Sequence, residues 1–268
     1  MAKGISVHIG LNSVDPDQYE GWDGQLSACE ADAKDMTALA KKQGFKSRSL
    51  LLTRAAKAQA VIDAIRDAAK TLQKGDFFLL TYSGHGGQVP DTNGDEKDRM
   101  DETWVCYDRQ VVDDELYELW AQFKAGVRIF VLSDSCHSGS VIKMVPDFIS
   151  GGPRARAMPT TVVRKVSKAH SKLYAGIQKK HRAAEKAKIN ASVLLISGCM
   201  DNQLSLDGSR NGLFTGTLKR VWNGGRFQNG YRKFRDVIVS KMPASQTPNY
   251  FLVGKSNQAF EAQKPFTI

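Results

Sequence analysis

Apolar and polar side chains alternate through Ile5, Val7 and Ile9, the two-residue period of a β-strand. A helical composition follows from Ala31 to Lys42 and stops near Gly44, and Ser49 to Leu52 is a second short strand. Val61, Ile65, Ala68 and Leu72 then recur on one helical face, with Thr53 as a candidate N-cap and Gly75 closing the unit. Asp76 to Ser83 and Val127 to Ser133 are continuous apolar runs, which predict strands buried on both faces. Between them lies a polar loop from Asp91 to Glu102, then a helix from Asp113 with Leu116, Leu119, Trp120 and Phe123 as its stripe. Further on, Val193 to Ser197 and Tyr250 to Val253 read as strands, and Phe214 to Trp222 and Tyr231 to Met242 as helices. This order of elements predicts an α/β fold with about six strands in a mostly parallel sheet flanked by helices.

The whole chain of 268 residues reads as one domain. Residues 1–150 form its larger part and 191–268 its smaller part. Residues 151–190 carry eleven Arg and Lys against Glu185 alone, so the formal net charge of +10 resides there and the rest is neutral. That segment opens with Gly151, Gly152 and Pro153, lacks a sustained apolar face and is expected to be a flexible basic linker, although Val166 to Lys188 could be partly helical. No apolar run is long enough to cross a bilayer, and the chain start lacks a signal-peptide core. Four widely spaced cysteines, Cys29, Cys106, Cys136 and Cys199, form no C-x-x-C pair. They suit a reducing compartment, so the expected location is cytoplasmic.

Both long apolar runs end in unusual polar tips, Ser83 to Gly87 and Ser133 to Gly139, and ligands of open parallel sheets sit at the carboxyl ends of the strands. His85 and Cys136 are on these tips. A cysteine becomes a nucleophile when a histidine from elsewhere in the chain can take its proton. Flanking glycines let the backbone turn, and the N–H groups of Gly86 and Cys136 could face the oxygen of a tetrahedral intermediate. The bland alternative is a buried inert thiol and a satisfied loop histidine. His137 faces the other way from its neighbour and is a poor base.

The wording around these residues, Tyr82-Ser-Gly-His85-Gly-Gly and Asp134-Ser-Cys136-His-Ser-Gly, resembles the two catalytic motifs of caspase-like cysteine peptidases, and among them the metacaspases and bacterial orthocaspases. The likeness continues in Gln25 to Ala33, in the acidic loop from Asp95 to Glu102, in Val112 to Leu116 and in Ile196 to Gln203. It implies the caspase-haemoglobinase fold and a thiol endopeptidase. His85 and Cys136 would be its dyad, with Cys136 attacking the scissile carbonyl and His85 protonating the leaving amine. It further implies a pocket of Asp32, Asp134, Cys29 and Ser83, and acidic walls favour cleavage after Arg, then Lys. Metacaspases also suggest calcium at Asp101, Asp113 and Asp114. Lys143 stands where a fourth aspartate belongs and would repel the ion, so calcium is expected to be dispensable and no cofactor is required. The loop from Asp91 mimics the start of an EF-hand, but Glu96 takes the place of its glycine.

The basic segment has three readings. It is a processing loop of a latent precursor, a zymogen cut by itself or by an upstream protease, with Arg154, Arg156, Arg164, Lys165, Lys180 and Arg182 as candidate sites; or a tether for nucleic acid or another anionic surface; or a solvated linker. Tyr174 is its only aromatic residue, which counts against base stacking and makes nucleic acid an improbable partner. The expected partners are protein or peptide substrates with Arg or Lys at the cut, and the resemblance implies a monomer. The competing class is a non-catalytic caspase-like module serving interaction or nucleic-acid binding.

Overall fold

The computed structural model describes all residues except 93, 95, 97, 137–153, 185–186 and 201–202. Strand β1 (Gly4–Gly10) leads to helix α1 (Cys29–Lys42), β2 (Lys46–Leu52), α2 (Ala58–Thr71) and β3 (Phe77–Ser83). Next come β4 (Gly86–Pro90), β5 (Met100–Val105), β6 (Gln110–Val112), α3 (Asp113–Ala121) and β7 (Arg128–Asp134). The chain continues through α4 (Thr160–Ala169), α5 (Ser171–His181), β8 (Ser192–Ser197), α6 (Leu213–Trp222), α7 (Tyr231–Val239), β9 (Asn249–Gly254) and α8 (Gln258–Ala262).

Six strands form the main sheet in the order β2-β1-β3-β7-β8-β9, parallel throughout except for the antiparallel β8–β9 pair. The expected α/β architecture is what folds. One face packs Ile5, Val7, Ile9, Phe78 and Leu80 against α2 and α3, whose Val61, Ile65, Leu119 and Trp120 are buried. The other packs Phe77, Leu79, Phe130 and Leu132 against Met36 of α1, Phe214 and Leu218 of α6 and Phe234 of α7. Because β3 is covered on both sides, its four consecutive apolar residues Phe77 to Leu80 are all fully buried. Each contributes about 1.5–3 kcal/mol through removal from water.

Other expectations need correction. Strand β1 is buried along its whole length, so its polar alternates Ser6 and His8 lie inside. Thr53 caps no helix: it has a positive φ and its hydroxyl donates to Glu30, while Asp108 Oδ1 accepts from the first N–H of α2 at 2.8 Å. Part of the loop read from Asp91 to Glu102 is strand, and β4, β5 and β6 make a separate antiparallel sheet. The flexible linker expected at 151–190 is, over residues 160–181, two helices. Val163, Val166 and Tyr174 bury among Val14, Tyr19, Val89, Val105 and Val112. Their apolar residues make a stripe only a few side chains long, set among many lysines and arginines. Apart from Met158, the buried partners of these helices in that cluster lie more than fifty residues upstream.

The first strand of the main sheet carries a histidine that never meets water. His8 is fully buried, its Nδ1 2.9 Å from Thr81 Oγ1, and burial, aided by the charge of Lys41, lowers its pKa to about 3. The unfolded chain takes up a proton near pH 6.5 and the folded chain only near 3, so stability is complete above pH 6.5 and falls as pH drops through that window. Between pH 7 and pH 5 this histidine alone should remove about 2 kcal/mol. Urea titrations at both values should show a drop smaller by about that amount in His8→Asn.

Candidate active site

Strands β3 and β7 are in register so that Ser83 lies directly beside Asp134. The polar tips therefore emerge together at the carboxyl edge of the sheet. Tyr82, stacked on Trp104 with centroids 4.6 Å apart, brings its hydroxyl within 2.6 Å of the His85 carbonyl oxygen and so fixes the turn that carries the histidine. Trp22 covers the His85 ring at 4.8 Å.

Between the tips lies Arg156, from the basic segment of the same chain, fully buried. Its Nη1 donates to Ser83 Oγ at 2.8 Å and pairs with Asp134 Oδ2 at 2.8 Å. Its Nη2 meets Asp32 Oδ2 at 2.7 Å and Asp207 Oδ1 at 2.9 Å. Burial works against the charge of this guanidinium, but Asp134, Asp32 and Asp207 outweigh it and hold the pKa above the usual arginine value. Asp32, in the first turn of α1, is pushed up by burial while Arg156 pulls it down. Cys29 completes the wall as a buried thiol, raised to about 12 by burial. Gly212, just before α6, is required by close approach: a Cβ there would lie 2.5 Å from the guanidinium carbon.

The backbone of the same arginine is held as tightly. The N–H groups of Gly86 and Cys136 both donate to the Arg156 carbonyl oxygen, at 2.9 and 3.0 Å. Two converging donors are what an oxygen gaining negative charge requires. The Arg156 N–H donates to Ser205 O at 2.9 Å, Asp207 N–H to Arg154 O at 2.8 Å, and Met158 N–H to Gly86 O at 2.8 Å. Residues 154–158 thus lie across the strand tips in extended pairing.

The reactive side chains surround this segment. Cys136 is fully buried; its Sγ accepts from Ser205 N–H and lies 3.5 Å from Ser205 O. His85 Nε2 is 3.1 Å from Gly24 O, its Nδ1 is buried without a hydrogen-bond partner, and its ring lies beside the Ala157 backbone. Burial lowers the pKa of His85 to about 4, and the charge of Arg156 adds to the effect. The imidazole is therefore neutral near pH 7 and can accept a proton.

A family model described as "Caspase domain" matches residues 14–257. The chain belongs to the caspase-domain peptidases. Among solved structures it is similar to protein GSU0716 of Geobacter sulfurreducens, with a TM-score of 0.90 and 54% identity over 99% of this chain and 98% of that one. Caspase-1 of Spodoptera frugiperda shares the fold at a TM-score of 0.55 and 11% identity, over 94% of this chain and 86% of that one. Among curated relatives, metacaspase-1 of Schizosaccharomyces pombe is 30% identical over 266 residues, 86% of this chain and 61% of the relative. Metacaspase-1 of Kluyveromyces lactis is 27% identical over 246 residues, 78% of this chain and 55% of the relative. The chain thus spans little more than half the length of these metacaspases.

Within this caspase-type frame, Asp32, Asp134, Cys29 and Ser83 gather around one cation. Reading the sequence missed Asp207, the third carboxylate, which also accepts from Ser27 N–H at 2.6 Å. Of the six candidate processing residues, Arg156 alone is in the pocket. Arg154 is exposed, with Nη1 donating to Gln25 O at 2.7 Å, and Arg164, Lys165, Lys180 and Arg182 are exposed on or beside α4 and α5. The acidic residues proposed for calcium divide differently: Glu96, Glu102 and Asp113 bring carboxylate oxygens within 4.8 Å of one another, while Asp101 and Asp114 are buried nearby. Burial, then the charge of Glu102, raises Asp113 to about 9. Lys143 and His137 lie outside the described residues.

Removing the central cation should expose how much it balances. Arg156→Ala leaves three buried carboxylates without their partner and should cost about 3 kcal/mol. The urea midpoint at pH 7 should fall accordingly, and agmatine, a small guanidinium ligand, should restore part of the loss by binding the folded state.

Proposed function

We propose that this chain is a cysteine endopeptidase that cleaves protein substrates after Arg, then Lys, and that its own Arg156–Ala157 bond is its first substrate. The observation that carries this reading is Arg156 itself, with its side chain among three carboxylates and its carbonyl oxygen under two N–H donors. In the proposed reaction Cys136 gives its proton to His85 and attacks the carbonyl carbon, with the oxyanion held by Gly86 and Cys136 N–H. His85 then protonates the Ala157 amine as the C–N bond breaks, and water later hydrolyses the thioester.

On this reading the uncut chain is a latent precursor, and cleavage divides it into residues 1–156 and 157–268. Four free cysteines suit a reducing, cytoplasmic setting, and the resemblance favours a monomer. No step uses a metal. The cluster of Glu96, Glu102 and Asp113 offers oxygen ligands to a hard cation, and no step of the proposed reaction needs one there. Lys143 in the sequence also counts against calcium. Turnover in a chelator should stay within about twofold of that in millimolar calcium.

The chain cut after Arg156 should turn over a peptide with arginine before a reporter amide. Cys136→Ala should remove that turnover by at least about a thousandfold. Equal turnover by both chains would discard the enzyme in favour of a non-catalytic module. Asp134→Ala should lose arginine cleavage, and undiminished turnover would refute the acidic pocket.

A further inference from the structure

The segment following the proposed cut is held as firmly as the segment before it. Ala157 is buried with Cys136 and Cys199, and Met158 is buried in the cluster formed with α4 and α5. Tyr174 Oη of α5 accepts from Gln110 N–H at 3.2 Å, Gln178 Oε1 accepts from Thr92 N–H at 2.8 Å, and Gln178 Nε2 donates to Pro90 O at 2.9 Å. His181 Nδ1 is 2.5 Å from Glu118 Oε2. Breaking one peptide bond removes none of these contacts. The leaving amine therefore stays at the thioester, on the segment whose Ala157 backbone meets the His85 ring.

Water is poorly placed to compete. Cys136 and Arg156 are 0% exposed, Met158 1%, Ala157 5% and His85 6%. A retained, oriented nucleophile acts at an effective concentration of roughly 10⁵ M or more, far above that of water in water.

We propose that this site is also a peptide ligase in cis: while α4 and α5 stay docked, the Ala157 amine reseals the Arg156 thioester before water reaches it. The inference rests on the reading of Cys136 as nucleophile and Arg156–Ala157 as the bond attacked. In the resealing step the amine lone pair attacks the thioester carbonyl, His85 takes the amine proton, and the C–S bond breaks. The thiolate recovers the proton, restoring peptide and thiol with no net reactant consumed. Net self-cleavage then depends on departure of the α4–α5 limb.

The test follows the fate of the bond by mass spectrometry. In wild type, hydroxylamine should intercept the thioester and yield residues 1–156 ending in a hydroxamate, faster than the chain hydrolyses without it. Tyr174→Phe with Gln178→Ala, which loosens the limb away from the site, should hydrolyse after Arg156 about tenfold faster than wild type. Wild-type hydrolysis as fast as that of the double variant, with no hydroxamate, would overturn the ligation. If the cut chain still cleaves the arginine reporter in a Cys136-dependent way, only the resealing falls. If the reporter is not cleaved either, the peptidase reading falls with it.

Discussion

A single guanidinium, buried among Asp32, Asp134 and Asp207, organises this end of the molecule. One positive charge cannot neutralise three negative ones, and charges taken out of water are costly unless hydrogen-bonded. Neutral donors supply the difference. Asp134 accepts from Thr215 N–H, Thr215 Oγ1 and Ser205 Oγ; Asp32 from Gly212 N–H, Asn211 Nδ2 and Ser83 Oγ; Asp207 from Ser27 and Ala28 N–H. Two of these carboxylates lie at helix starts, Asp32 in the first turn of α1 and Asp134 against the first turn of α6, where unpaired N–H groups and the helix dipole favour anions. The topology of the sheet, with α1 and α6 on one face and β3 beside β7, is thus what makes a negative pocket tolerable.

The same reasoning explains why parts of the site were legible in the sequence and parts were not. Ser83, His85, Asp134 and Cys136 end two long apolar runs, and a strand buried on both faces announces its tip by the abrupt return of polar residues. Asp207 has no such frame. It lies in the irregular stretch before α6, and its role comes from Ser27 and Ala28, about 180 residues earlier in the chain. Six basic residues of the 151–190 segment looked equivalent as processing sites because local sequence treats them alike. What sets Arg156 apart, its seat among Asp32, Asp134 and Asp207, is a tertiary arrangement with no local signal.

The missed sheet has a comparable cause. Strand β4 begins with Gly86 and Gly87 and ends at Pro90, residues of low strand propensity. The N–H of Gly86 faces the Arg156 carbonyl, and at Gly87 a Cβ would come within 2.4 Å of Gln110 Oε1. Here the demands of the site override propensity, which is why a propensity reading leaves a loop. Helices α4 and α5 invert the case: a polar, cationic surface conceals a few buried contacts that hold the segment in place.

The arrangement also bears on the proposed order of preference, arginine before lysine. The two Nη atoms carry four N–H bonds, and four acceptors meet them: Ser83 Oγ, Asp134 Oδ2, Asp32 Oδ2 and Asp207 Oδ1, all within 2.7–2.9 Å. A lysine ammonium has three donors radiating from one point. Placed in the same pocket it would forgo at least one of these four contacts, although the carboxylates would keep their neutral donors. Arg156 Nε has no partner, so the preference rests on the outer fork of the guanidinium alone. On the proposed reading a substrate arginine must reach the depth that Arg156 reaches, which would tie recognition of the side chain to the seating of its carbonyl under Gly86 and Cys136.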